Sequence, residues 1–190
     1  MNLWHRWYCR SAGWEKVVHE YMMPRVIGDA VLGDDVLEIG PGPGLTSDWL
    51  RARVPRLTAI EIDSKLAQSL KARMDGTNVT VVEGDATSMP FPDASFSGVV
   101  CFTMLHHVPS PGLQDKLLAE ACRVLRPGGI IVGSDSTPSF RWNLYHLFDT
   151  RTPVDPEGFP ARLEAGGFSE PSVRRGPNYF SFRAVKPQPG

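Results

Sequence analysis

Apolar residues fall along this chain in short blocks, and the blocks alternate between two spacings. Five runs are nearly continuous and rich in β-branched residues: 36–39, 57–62 (LTAIEI), 78–84 (NVTVVEG), 96–102 (FSGVVCF) and 128–135 (GGIIVGSD). Turn residues flank each run, which predicts buried strands. Between the runs, apolar positions recur every four residues. Leu66, Leu70 and Met74 follow a capping Asp63 or Ser64, and Leu113, Leu117, Ala121 and Leu125 precede RPGG. Both patterns predict helices, the second stopped by its proline and glycines. Leu45, Trp49 and Leu50 predict a further helix just after three glycines. Buried strands alternating with helices imply parallel βαβ units, and therefore a doubly wound, mostly parallel α/β sheet.

The ends follow other patterns. Residues 14–32 predict a leading helix that Pro24 bends or breaks. Residues 156–166 predict a late helix closed by AGG, and SVRRG and NYFSFRAV two closing strands around the turn GPN. No repeat or low-complexity linker interrupts the chain, so residues 1–190 read as one domain. Residues 1–32 then form a helical segment packed on the sheet or over its ligand.

Composition narrows the function classes. Apolar residues make up 42% and charged residues 22% of the 190, as in ordinary globular proteins. Twenty basic and 21 acidic residues leave a net charge of −1, which carries no electrostatic footprint for nucleic acid or an anionic membrane. The N-terminus is broken by His5, Arg6 and Arg10 and does not read as a signal peptide. No run approaches the apolar length of a membrane span. Cys9, Cys101 and Cys122 are far apart, with neither a disulfide framework nor a metal-ligand spacing. The expectation is a cytoplasmic protein with reduced thiols and no metal.

The candidate chemistry centres on VLEIGPGPGL, residues 36–45. In an open α/β sheet, ligands bind beyond the carboxyl ends of the strands. Gly40, Gly42 and Gly44 bare the backbone there, and Pro41 and Pro43 stiffen it. Dinucleotide sites favour G-x-G-x-x-G, whereas this turn is G-x-G-x-G followed by Leu45, with Glu38 in its approach. A carboxylate there suits an ammonium-bearing ligand such as S-adenosylmethionine (SAM) better than a pyrophosphate. A tight strand-to-helix turn with no ligand is the plain alternative. Glu61 ends the second strand about 20 residues later, where an acid accepts from ribose hydroxyls, and Asp85 follows the third strand. Singly, each acid reads equally as a solvated residue or a helix cap. Three acids at three successive strand ends are a less ordinary coincidence.

Together VLEIGPGPG, AIEID, GDATSMPFPDASF and RVLRPGGIIV resemble the class I SAM-dependent methyltransferases, over residues 36–135. MPFPDASF and MLHHV resemble the subgroup acting mainly on small molecules. The resemblance implies a seven-stranded Rossmann-like sheet with its last strand antiparallel. It implies that Gly40, Pro41 and Gly42 line the methionine part of SAM, with Glu38 holding its amino group through a hydrogen bond or water. Glu61 would take the ribose hydroxyls, Ile62 pack on the adenine, and Asp85, with Ala86 beside it, accept from the adenine amino group. Phe102 and Thr103 would stand near the sulfonium and the incoming acceptor, and S-adenosylhomocysteine would be the product.

Two departures bear on this. Ser97 stands where the family often has an acid in the fourth strand. The first half also resembles ribosomal RNA adenine dimethyltransferases, but CFTML replaces their N-[LIP]-P-[YF] turn, which speaks against an RNA acceptor. His106 carries two readings. It is a structural corner, or it is the base that takes a proton from the acceptor. The aromatic-rich LWHRWYCRSAGW is either a lid over the acceptor pocket or a helix docked at the sheet edge, and RWNLYHLFD at 141–149 is the expected place for substrate contacts. A methyltransferase acting on a small-molecule acceptor, without nucleic acid or membrane and with an aromatic surface open to homodimer formation, is the first reading. A non-catalytic SAM-binding protein and a nicotinamide-dependent oxidoreductase are the alternatives.

Overall fold

The computed structural model describes residues 11–138 and 151–189. The aromatic stretch within residues 1–10 and the RWNLYHLFD segment lie outside these residues. Seven strands form one sheet: β1 (Asp35–Ile39), β2 (Arg56–Glu61), β3 (Val79–Glu83), β4 (Phe96–Phe102), β5 (Leu125–Ser136), β6 (Ser169–Arg175) and β7 (Tyr179–Val185). Their order is β3-β2-β1-β4-β5-β7-β6. All neighbouring pairs from β3 to β5 are parallel, and β7 runs antiparallel to both β5 and β6. The strand order reverses between β1 and β4, which opens a crevice beyond their carboxyl ends.

Alternation along the strands divides the core into two layers. Leu37, Ile39, Val99, Cys101 and Ile131 face one side, Val36, Ala59, Val100 and Val132 the other. The first side is covered by α5 (Pro111–Val124) and α6 (Phe159–Ala165). The second is covered by α3 (Leu45–Arg51), α4 (Ser64–Arg73) and the leading segment. α4 starts where predicted, because the Asp63 carboxylate accepts from the amides of Lys65 and Leu66 at 2.9 and 3.1 Å.

The leading segment is helical in three pieces, α1 (Ala12–Lys16), a π-helical stretch (Val17–Met22) and α2 (Met23–Ile27), and it ends at Gly28 with φ of 54°. Pro24 sits at the start of α2, directly after the π-helical stretch. RPGG departs from expectation. It belongs to β5, as does Leu125, and forms an irregularity there: Phe96 pairs with Leu125 but Gly98 with Ile130. Gly128, with φ of 77°, makes that bulge possible. Ser97 donates to the Leu32 carbonyl at 2.9 Å and accepts from the Asp35 amide at 3.0 Å, tying the foot of β4 to the entry of β1, away from the crevice.

Phe159, Phe180 and Phe182 pack as a ring cluster between α6 and β7, with Phe159 4.9 Å from Phe182 and 5.5 Å from Phe180. Phe180 is fully buried. Phe180→Ala is expected to lower the unfolding free energy by about 3–5 kcal/mol, seen as a lower urea midpoint with an unchanged slope. A loss below about 1 kcal/mol would contradict its place in the core.

Candidate active site

One cavity of about 1160 Å³ occupies the crevice. Its walls come from the carboxyl ends of five strands and from the leading segment, which adds Trp14, Val18, Tyr21 and Met22. The volume exceeds the roughly 300–1,000 Å³ of an ordinary ligand pocket, leaving room for two molecules side by side.

The glycine turn after β1 forms its floor. Gly40, Gly42 and Gly44 all adopt left-handed φ, at 65°, 55° and 86°. They serve different ends. A side chain at Gly42 would meet nothing within 4 Å, so its bareness opens backbone to the cavity. A side chain at Gly44 would strike Leu70 and Arg73 at 2.4 Å, so this glycine lets α3 approach α4. Gly40 lies against Met104, whose Cγ would be 3.0 Å from an added Cβ.

Glu61, at the end of β2, holds the turn in place. Its Oε2 accepts from the Gly42 amide at 2.9 Å and its Oε1 from the Asp63 amide at 3.0 Å. Each oxygen keeps a lone pair for a ligand hydroxyl. Beside it Ile62 is 70% exposed in the cavity wall, an apolar surface without a protein cover. Asp85 is exposed beyond β3, its Oδ1 accepting from the Thr87 amide at 2.8 Å, and Ala86 is buried next to it. Phe102 and Thr103 close the end of β4, where Thr103 has a φ of 49°, rare for a non-glycine residue. Its amide donates to the Ser134 carbonyl at 2.7 Å. Pro41 completes the wall.

Glu38 lies behind the cavity wall. It does not line the cavity. Its carboxyl points to the face of the sheet that carries α3, where Thr46 Oγ1 donates to Oε1 and Ser47 Oγ donates to Oε2 at 2.5 Å. Thr46 is the side chain that reaches the cavity, so Glu38 acts on it from behind. Burial pushes the Glu38 carboxyl up to about 7 against the lowering effect of the Ser47 and Thr46 bonds, with Asp48 and Glu61 adding to the rise.

His106 lies in a 3₁₀ turn (Leu105–His107) in the cavity wall and is 2% exposed. The fully buried Asp135, at the end of β5, accepts from the His106 amide at 2.9 Å with Oδ2 and pairs with Nδ1 through Oδ1. Ser134 presents the one buried side-chain polar atom among the described residues without a hydrogen-bond partner, and it too belongs to the cavity wall. Sequence reasoning missed Thr46, Ser134 and Asp135. GGIIVGSD did carry the signal for Asp135, an acid ending a strand like those on β2 and after β3.

Comparison with known proteins gives a consistent answer. A family model described as a methyltransferase domain matches residues 37–133. An uncharacterized methyltransferase of Mycobacterium tuberculosis is 31% identical over 113 residues, 59% of this chain and 56% of its own. A fatty-acid O-methyltransferase of Mycolicibacterium smegmatis is 33% identical over 112 residues, covering 58% and 40%. A probable ribosomal RNA small subunit methyltransferase A of Thermococcus onnurineus is 43% identical over a shorter stretch of 60 residues, 32% of this chain and 22% of that one. The match thus spans about half, or less, of the length of these curated relatives. In structure, a Haloferax volcanii methyltransferase solved with the Trm112 methyltransferase activator superimposes with a TM-score of 0.76 at 16% identity, over 99% of both chains. No described helix is long and apolar enough to cross a membrane.

The buried Glu38 carboxyl yields a pH prediction. Its value is about 4.5 unfolded and about 7 folded, so folding takes up a proton between the two. Its favourable contribution is complete below the unfolded value and is lost as the pH rises through about 7. Between pH about 5 and 8 the wild type is expected to lose stability relative to Glu38→Gln by up to about 3 kcal/mol, read from urea unfolding at each pH. A difference that stays flat across this range would contradict a protonated Glu38.

Proposed function

The chain belongs to the methyltransferase-domain family; from that premise we propose that it transfers a methyl group from SAM to a small, largely apolar acceptor, bound in the part of the cavity between the leading segment and the sheet. SAM supplies an electrophilic methyl group on a sulfonium that leaves as a neutral thioether, so the protein's task is mainly alignment and exclusion of water. The observation that carries this reading is the single continuous cavity running from the Gly42 turn past Phe102 and Thr103 to Val18, Met22 and Tyr179.

The residues fit SAM by two independent features. Gly42 leaves open space where any side chain would stand, and Glu61 keeps acceptor capacity beyond its two backbone bonds. In this reading the methionine end of SAM lies along Gly40, Pro41 and Gly42, with Thr46 presenting the charge of Glu38 to the ammonium group. Glu61 takes the ribose hydroxyls, Ile62 packs on the adenine, and Asp85 and Ala86 meet its edge. Phe102, Thr103 and His106 surround the reacting centre. S-adenosylhomocysteine leaves after transfer.

The acceptor end is walled by Val17, Val18, Tyr21, Met22 and Leu113, with Tyr179 opposite. Such a wall favours an apolar body, in line with the fatty-acid O-methyltransferase among the relatives. A ribosomal RNA acceptor, suggested by the shorter match, is disfavoured by a net charge of −1.

Calorimetry with S-adenosylhomocysteine tests the cofactor half. Binding is expected in the micromolar range, weakened at least about tenfold (about 1.4 kcal/mol) in Gly42→Val and in Glu61→Ala. Undiminished binding by both variants would remove the glycine turn from the cofactor site.

A further inference from the structure

We propose that Arg25 anchors a carboxylate subsite at the acceptor end of the cavity, and that the acceptor is accordingly an apolar molecule carrying one acidic group. The inference rests on the methyltransferase reading above and adds the polar group by which that acceptor is recognised.

Charge is distributed unevenly around the cavity. Glu61, Asp63 and Asp85 line it at or just beyond the ends of β2 and β3. Arg25 is the one lysine or arginine in its wall among the described residues. The strand order puts β1 and β4 between β2 and β5, and α2, which carries Arg25, packs against β5. Three strand spacings are about 14 Å, more than the Debye length of about 8 Å at physiological ionic strength. An anion bound beside α2 and β5 is therefore largely screened from the acids that suit a cationic cofactor.

Arg25 is also free to take such an anion. Other exposed arginines pair with acids, as Arg56 does with Asp34 at 2.9 Å and Arg73 with Asp48 at 2.6 Å. Arg25 has no carboxylate partner among the described residues. Its guanidinium lies 5.8 Å from the centre of the Tyr21 ring, which belongs to the same wall, and a cation–π contact holds it there. The backbone before it is built for this wall. Val17–Met22 is wound as a π-helix, a rare form that occurs mostly at functional sites. His19 Nε2 donates to the Leu45 carbonyl at 2.7 Å, which pins that stretch to the start of α3.

The sheet supplies neutral donors to the same end of the cavity. Ser134 and Ser136 lie two positions apart on β5 and share a face with Val132, which packs in the layer that holds Val18 and Met23. Tyr179 pairs with Ser136 from β7 on that face. All three line the cavity, and the buried Ser134 hydroxyl has no hydrogen-bond partner among the described residues. A buried polar group left unpaired costs free energy that a ligand oxygen recovers. One cation among neutral hydroxyls matches a monoanion, whereas a phosphate dianion brings a second charge that nothing in this wall would pair.

Calorimetry on the whole chain, saturated with S-adenosylhomocysteine, tests the subsite with octanoate, octanol and octyl phosphate, three probes of one chain length. Octanoate is expected to bind at least about tenfold more tightly than octanol. Arg25→Gln is expected to abolish that preference while binding octanol and S-adenosylhomocysteine as the wild type does, which also shows that the variant is folded. Octanoate binding no tighter than octanol, a preference that survives in Arg25→Gln, or tighter binding of octyl phosphate than of octanoate would each overturn the proposal. Failure of the wild type to bind S-adenosylhomocysteine would instead overturn the reading beneath it.

Discussion

The Glu61 carboxylate bridging two backbone amides is the interaction on which the site depends. One oxygen takes the Gly42 amide and the other the Asp63 amide, so the turn leaving β1 and the start of α4 are fixed to the end of β2. Without that bridge a turn of three left-handed glycines has little to choose one conformation among many. With it, the open backbone at Gly42, the apolar face of Ile62 and the capped start of α4 keep fixed places around the cavity. The same side chain that would meet a ribose therefore also builds the floor beneath it.

Two other buried acids show how the fold tolerates charge near its ligand site, by opposite means. Glu38 is surrounded by hydroxyls, which are poor compensation for a full charge, and burial raises it to about 7. Asp135 is met by two backbone N–H donors and by His106 Nδ1. Glu38 gains from ionising when a cation arrives. A third acid, Asp35, lies at the far end of β1, where hydrogen bonding from Arg56 and Arg126 holds it well below the usual carboxylate range. It anchors the foot of the sheet and takes no part in the cavity.

Much of this was legible in the chain itself. Buried parallel strands write themselves as short β-branched runs, and FSGVVCF coincides with β4 residue for residue. The glycine turn and the acids ending β2 and following β3 were legible because ligand contacts in such sheets collect at strand ends. RPGG was not, because proline and glycine mark a helix stop and a strand bulge alike, and only pairing with β4 decides between them. The surroundings of Glu38 were not legible, because strand position does not tell which hydroxyls will surround a side chain. Thr46 and Ser47, eight and nine residues on, do so only once α3 folds back over β1. The partnership of Asp135 with His106 links two strand ends 29 residues apart and is a property of the sheet alone.

In the proposed function the cofactor occupies the cavity along the ends of β1, β2 and β3. Amide hydrogen exchange with and without saturating S-adenosylhomocysteine tests it most directly. Slowed exchange is expected at residues 40–46, 61–63 and 85–87 together, with the foot of the sheet around Asp35 and Arg56 unchanged. Slowed exchange confined to other regions, or bound ligand with no protection at the glycine turn, would contradict it.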